Sequence, residues 1–395
     1  MGWFPLAVNT DKPTWSFDIV GLLAVVGGSS IEKHAQAITA SPFGGFPRLL
    51  PAPETMLDTD RPARLPAVKD VTVLGVHSGN HFTELNFFAE VIHRIDSLEP
   101  FEFQSFKISH KEEAIQRDNL QKEAESRAAI DVEKGSEKDS NKPKIPSKAS
   151  IPLHKFCPLN IVTLGSILIT IALFVWAGVN HDAVALIGLA TMSLSTSTAC
   201  LSSQWRPRLT IRTSTASDIP SGDVIIRTRS GAFVFVECDE NVSRELYGGT
   251  EVCHYVFKGV VHQILLGTST ILLMASIIFF SNSGWKMQIA VGLAYVILNI
   301  AYWAMALLTE PRHTWNMKER YDIKRTNDET IRESFTVVMW DTIQATKEID
   351  WIKKAKVAPA TKNWDGWLQD AKQNCGNPRW DAEGKRNEWM ARKDL

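Results

Sequence analysis

Apolar residues gather along this chain in four uninterrupted blocks, Leu159–Val179, Ala183–Leu201, Gly259–Phe280 and Met287–Leu308, and none of them contains Asp, Glu, Lys or Arg. Crossing roughly 30 Å of hydrocarbon takes about 20 residues of helix, and each block meets that length. A backbone in hydrocarbon must satisfy its own polar groups, so each block is predicted to be a helix. The first two blocks are joined by "NHD" and the last two by "SNSGWK", which implies two tight antiparallel hairpins. Trp176, Trp205, Trp285, Tyr302 and Trp303 fall near the block ends, where aromatic rings anchor in the interface. A fifth stretch, Ile19–Gly28, is too short to cross and reads as buried, re-entrant or part of a further span.

Outside the blocks the pattern changes period. "VTVLGVHSGNH" (71–81) reads as a strand and turn, followed by an amphipathic helix from Thr83 with Phe88, Ile92 and Ile95 on one face and Leu85 beside them. "RLTIRT" (208–213) alternates as a half-buried strand does. In "GDVIIRTRSGAFVFVECDE" (222–240), Val224 and Ile226 point one way and Arg227 and Arg229 the other, with Ser230-Gly231 as the turn. Phe233 and Phe235 alternate with Val234 and Val236, so the second strand is expected to be covered on both faces. Residues 205–258 are too few to be stable alone and should pack on something else in the molecule. Trp364, Trp367, Leu368 and Ala371 lie at helical spacing, with Asn363 as N-cap and Gly376 as terminator. A longer helix at about 328–356 carries Phe335, Met339, Ile343 and Trp351. Most of these tryptophans read as packing residues.

The fold class that follows is an α-helical polytopic membrane protein, four transmembrane helices in two hairpins, with a small cytoplasmic β-rich insert and an α-helical C-terminal tail. Its expected parts are an N-terminal α/β region (1–106), a charged linker (107–155), hairpin one (156–204), the insert (205–258), hairpin two (259–308) and the tail (309–395). The stretch ending "EKGSEKDSNKPKIPSKAS" lacks the apolar residues that offset ordering entropy.

Charge adds an orientation. Net charge is −1, so no whole-chain field points to nucleic acid. Lys142, Lys144, Lys148 and Lys155 precede the first block, and Arg206, Arg208, Arg212, Arg227, Arg229, Arg244 and Lys258 lie between the second and third. Arg312, Lys318, Arg320, Lys324 and Arg325 follow the fourth, whereas the short loops hold only Lys286. By the positive-inside bias both termini and the insert are expected to be cytoplasmic. The start has neither a basic n-region nor a cleavage site, and Leu6 breaks the myristoylation pattern.

Candidate chemistry is sparse. Arg206 and Arg208 follow the second block at headgroup depth, and with Arg212 they are candidate contacts to anionic lipid headgroups. "GVHSGNHFTE" places His77, His81 and Glu84 close together, with Glu90 and His93 beyond, and imidazole and carboxylate suit zinc. The stretch resembles the "HxxE" region of zinc carboxypeptidase-like enzymes, but Asn80 stands where that pattern has Glu. Five scattered cysteines form no disulfide framework, and Cys238 and Cys253 lack a CxxC companion. Asn241 heads an "NVS" glycosylation pattern on the expected cytoplasmic side. Polar groups inside the blocks are "TMSLSTSTACLSS", His262, Gln263, Gln288 and Asn299, of the kind that more often holds helices together than moves ions. "SGAFVFVECDENVSRELYGGTEVCHYVF" and "NWDGWLQDA" resemble portions of multi-pass membrane proteins of filamentous fungi, over roughly the C-terminal half. That resemblance implies no activity and transfers no catalytic residue.

The expected role is therefore non-catalytic, as an interaction, scaffold or accessory protein in a bilayer, with a protein partner and anionic lipid as candidate ligands. No catalytic residue, cofactor or metal ligand is assigned. The alternatives are a transporter or channel component and a membrane-attached metallohydrolase using His77, His81 and Glu84. The topology has a direct check. Cysteines introduced at Asn180 and Ser283 should label from outside intact cells or from the lumen, and one at Ser230 should not. Outside labelling at 230 would reverse the orientation.

Overall fold

The computed structural model describes residues 28–57, 61–111, 151–154, 157–209, 219–308, 314–327, 330–377 and 379–392. In chain order its principal helices are α1 (Gly28–Ala40), α2 (Phe87–His93), α3 (Pro158–Val179), α4 (Ala183–Ser202), α5 (Gly259–Ser281), α6 (Trp285–Leu308), α7 (Phe335–Thr346), α8 (Asp350–Lys354), α9 (Lys362–Asn374) and α10 (Ala382–Met390). Its strands are β1 (Val71–Gly75), β2 (His81–Phe82), β3 (Glu102–His110), β4 (Trp205–Leu209), β5 (Val224–Thr228), β6 (Phe233–Cys238), β7 (Glu251–Tyr255), β8 (Tyr321–Arg325) and β9 (Thr330–Ile331). The chain divides into two compact units: Met1–Ala63, Pro152–Arg206 and Cys253–Asn316 make one, and Arg64–Ile151, Pro207–Val252 and Met317–Leu395 the other. The Ile19–Gly28 stretch lies outside the described residues except for Gly28, which opens α1.

In the first unit, α3 to α6 are each long and apolar enough to cross a membrane. They match the four blocks within two residues at each end, α6 taking Lys286 into its first turn. Pro158 opens α3, where its missing N–H costs nothing. Asp182 caps α4 by accepting from Ala185 N at 2.9 Å, and its other oxygen accepts from Gly284 N at 2.8 Å. One carboxylate thus ties the two short loops together. Small side chains let α4 and α5 approach closely: the Ser195 and Ser269 hydroxyls each donate to the other residue's carbonyl at 2.8 Å. Buried positions hold Thr163, Ser166, Thr170, Ser193, Thr196, Ser197 and Ser276, whereas Leu164, Leu168, Ile171, Ile264, Ile271, Ile278, Leu293 and Ile300 face outward. Ser283 is buried, its hydroxyl donating to Phe280 O at 2.8 Å. The exposed neighbour Asn282 is therefore the better labelling position in that loop.

The second unit is a seven-stranded mixed sheet in the order β2-β1-β5-β6-β3-β8, with β9 also on β3. All pairs are antiparallel except β3 with β6. The β5–β6 hairpin forms as its alternation predicts, and Gly231 takes the positive φ of +88° that its turn needs. Val224, Ile225 and Ile226 of β5 and Phe233 to Val236 of β6 are buried because this hairpin is central in the sheet. On one face Leu74, Phe103, Ile225, Phe233 and Phe235 pack with Met339 and Ile343 of α7, Trp351 of α8 and Trp367 and Leu368 of α9. On the other, His93 of α2 meets the edge of the Phe106 ring at 4.9 Å.

Several expectations are corrected here. What was expected to be a small insert supplies two of seven strands, and the remainder come from the N-terminal region and the tail. Residues 107–110 belong to β3 rather than to a linker, because Phe106 and Ile108 alternate into the core beside β6. The helix expected from Thr83 begins at Phe87, after β2. The long tail helix breaks after Thr346, where Lys347 turns left-handed at φ 56°. Thr361, not Asn363, caps α9 by accepting from Trp364 N. A separate pairing joins β4 to β7, and residues 210–213 of the "RLTIRT" strand lie outside the described residues.

Trp367 is fully buried, donates Nε1–H to Ala382 O at 2.9 Å and lies 6.0 Å from the Trp380 ring. Trp367→Ala should destabilise this unit by about 3–5 kcal/mol, read as a lowered unfolding midpoint. Deleting 357–395 should open β5 and β6 to limited proteolysis. Digestion identical to that of the intact protein would show that the sheet does not depend on α9.

Candidate functional site

In the helical unit the unusual element is not a span. The run "SPFGGFPRLLPAP" (41–53) holds four prolines, which remove donors and prevent a continuous helix. Residues 47–50 are irregular backbone, followed by a 3₁₀ turn over Pro53–Leu57. Side chains of the long helices supply the hydrogen bonds this backbone cannot make internally. Leu49 N donates to Thr170 Oγ1 at 2.9 Å, and the Ser166 hydroxyl donates to Leu49 O. The Ser197 hydroxyl donates to Gly45 O, and Ser41 Oγ donates to Asn160 Oδ1 at 2.8 Å. A Cβ on Gly45 would lie 2.9 Å from Leu201 Cδ2, so a larger residue would have to displace the end of that side chain. Leu49 itself packs with Leu173, Met192 and Phe280. Non-helical backbone therefore enters the bundle as far as the middle of α3.

Arg48 enters with it and is fully buried. Its Nη1 donates to Phe43 O at 3.1 Å, Gly44 O at 2.8 Å and Phe46 O at 3.3 Å. Among the described residues its Nη2 has only Cys200 Sγ at 4.0 Å, and its Nε has no partner. No carboxylate is among these contacts. The Tyr302 hydroxyl lies beside Arg48 and Thr163 yet makes no hydrogen bond of good geometry. Tyr295 OH and Asn299 Oδ1 are likewise buried without partners among the described residues, and positions 295, 299 and 302 share one stripe of α6.

The sheet unit holds a pocket of about 380 Å³ lined by Arg64, His81, Phe82, Glu84, Asn86, Tyr247, Glu251 and the Gly248-Gly249 turn. Glu251 accepts from Phe88 N at 3.0 Å at the start of α2. Burial raises its carboxyl to about 7, against the lowering effect of the Phe88 and Phe87 amides. Tyr247 OH is 2.7 Å from His93 Nε2, and burial brings that imidazole down to about 3, so it is neutral. Nearby, Glu245 accepts from Arg320 Nε, from Arg320 Nη2 at 2.9 Å and from Tyr321 OH at 2.6 Å, and lies 3.0 Å from His110 Nε2. Burial pushes Glu245 upward, but the hydrogen bonds from His110 and Arg320 and the guanidinium charge outweigh it and bring it down to about 2. This cluster pins the start of β8 to the end of β3.

The sequence candidates are partly gathered and partly dispersed. His81 and Glu84 line the pocket, but His77 is bonded to Asp223 at 3.1 Å. Glu90 accepts from Ile95 N at 3.1 Å. No three His, Cys, Asp or Glu side chains converge on a metal position among the described residues. Arg206 is exposed and Arg208 half-buried in β4, and Arg212 lies outside the described residues. Cys238 and Cys253 are both buried. Arg48 escaped the sequence reading, although one cation amid "PFGGFPRLLPAP" was the available signal. Glu245 and Glu251 gave none, because only folding brings their partners together. Comparison with family models, with curated proteins and with solved structures gave no match.

The two carboxylates act on stability in opposite directions. Glu251, raised from 4.5 to about 7, binds a proton in the folded state that the unfolded chain has lost. Its contribution is greatest below pH 4.5 and fades as pH rises to 7, by on the order of 3 kcal/mol. Glu245, lowered to about 2, stabilises above pH 4.5 and loses this as pH falls toward 2. Glu251→Gln should flatten the decline in melting temperature between pH 5 and 8, while Glu245→Gln should flatten the decline below pH 4.5. Unchanged profiles would remove these assignments.

Proposed function

We propose that this chain is an integral membrane protein of four spans whose role is non-catalytic, as an interaction, scaffold or accessory component. The observation that carries the reading is the inverted distribution on α3 to α6: aliphatic side chains face outward while Ser and Thr are buried. A water-facing bundle would reverse this, because outward Leu and Ile gain nothing from water. The alternation of flanking Lys and Arg supports cytoplasmic termini and a cytoplasmic sheet unit. Arg206 and Arg208 remain candidate contacts to anionic headgroups. The separation of His77 from His81 and Glu84 favours a binding role over hydrolysis.

A second reading, as a transporter or channel component, has one favouring observation: Tyr295, Asn299 and Tyr302 carry unpartnered polar atoms on a single stripe inside the bundle. Alkaline extraction tests the membrane assignment. The full chain should stay in the membrane pellet at high pH and enter solution only with detergent. Release by carbonate alone would overturn the four-span reading.

A further inference from the structure

Arg48 offers a hydrogen-bonding edge whose one contact among the described residues is a weak one to a thiol. The guanidinium presents its donors as forks, and the edge made by Nε–H and Nη2–H takes two oxygens of a carboxylate or phosphate side by side. Here Nη1 is saturated by three carbonyls, while the Nε/Nη2 edge has one unpartnered nitrogen and one thiol contact at 4.0 Å. The side chain is fully buried. A buried cation without a counter-charge is costly, and main-chain dipoles offset only part of that cost. The unpartnered hydroxyl of Tyr302 lies beside the same guanidinium.

Depth narrows the ligand. Cys200 is within one turn of the end of α4, and Thr163 and Tyr302 lie within two turns of the start of α3 and the end of α6. At 1.5 Å per residue this is roughly 10 Å or less inside the helix ends. Further cations gather at that end of the unit. Arg61 Nη2 donates to Ser202 O and to Phe257 O, both at 2.9 Å, and Lys258 and Arg206 flank the helices.

We propose that Arg48, assisted by the Tyr302 hydroxyl, is a binding site for a phosphate oxyanion, carried by an anionic lipid headgroup or present as free phosphate. The oxyanion replaces the weak thiol contact with two short charged hydrogen bonds and supplies the missing counter-charge. The lipid source rests on the membrane reading above, whereas binding itself is measured in detergent solution and does not depend on it.

The test uses the delipidated full chain in mild detergent, titrated with dioleoyl phosphatidic acid, with diacylglycerol, which lacks the phosphate, and with inorganic phosphate. Thermal stabilisation and native mass spectrometry read the binding. Phosphatidic acid should bind saturably and diacylglycerol should not. Competition by inorganic phosphate would assign the site to the free anion, and its absence to the headgroup. Arg48→Gln should weaken binding roughly ten- to hundredfold. Tyr302→Phe keeps the buried ring and removes only the hydroxyl, and should bind several-fold more weakly. Arg206→Gln should change affinity less than about twofold. Wild-type affinity in both Arg48→Gln and Tyr302→Phe would overturn the proposal. So would binding of neither phosphate probe, or an Arg206→Gln loss equal to that of Arg48→Gln.

Discussion

Buried backbone polar groups must find partners in the protein, and the helical unit is organised by that constraint. Four helices meet it internally. Residues 41–50 cannot, because prolines and glycines break their helical ladder, so Ser166, Thr170 and Ser197 supply the hydrogen bonds instead. This explains why hydroxyl side chains are buried in helices whose outer surfaces are aliphatic. The same requirement explains the packing of α4 on α5, where two serines exchange hydrogen bonds with each other's carbonyls.

Buried charge is handled differently in the two units. In the sheet unit Glu245 has a guanidinium, a phenol and an imidazole around it, and the carboxylate is held ionised. Glu251 has only main-chain amides, and burial keeps it near neutrality. Arg48 in the helical unit has carbonyls on one nitrogen and nothing of comparable strength on the other edge. Guanidinium does not shed its proton at physiological pH. A carboxylate in a poor site can take up a proton, but an arginine in one keeps its charge and must be satisfied by hydrogen bonds or by an anion. That asymmetry is what makes Arg48 the more informative residue.

The sheet unit assembles from segments far apart in the chain. Its central strands β5 and β6 come from between α4 and α5, β3 precedes α3, and β8 follows α6. The parallel pairing of β3 with β6 requires a long connection, and here that connection contains α3 and α4. Tryptophans of α8 and α9 then complete one face of the core. The marginal size of residues 205–258 is resolved by this assembly, since each strand of the hairpin gains a neighbour from elsewhere.

Local pattern determined a good deal by itself. Charge-free length marked α3 to α6, alternation marked the β5–β6 hairpin, and 3.6-residue spacing marked the buried face of α9, because each signal is written in neighbouring residues. His81 and Glu84 were legible as polar residues near a turn, but their separation from His77 was not, since Asp223, just before β5, is the residue that bonds His77. The start of the charged stretch could not be read as β3, because Lys107 and His110 are polar and only pairing with β6 and β8 makes them strand residues. Arg48 looked like one basic residue in a proline-rich loop. Whether it lies in water or in a bundle depends on Thr170, Cys200 and Tyr302, more than a hundred residues away. Tertiary structure alone decided that, because burial and counter-charge are properties of an assembled environment rather than of a local sequence.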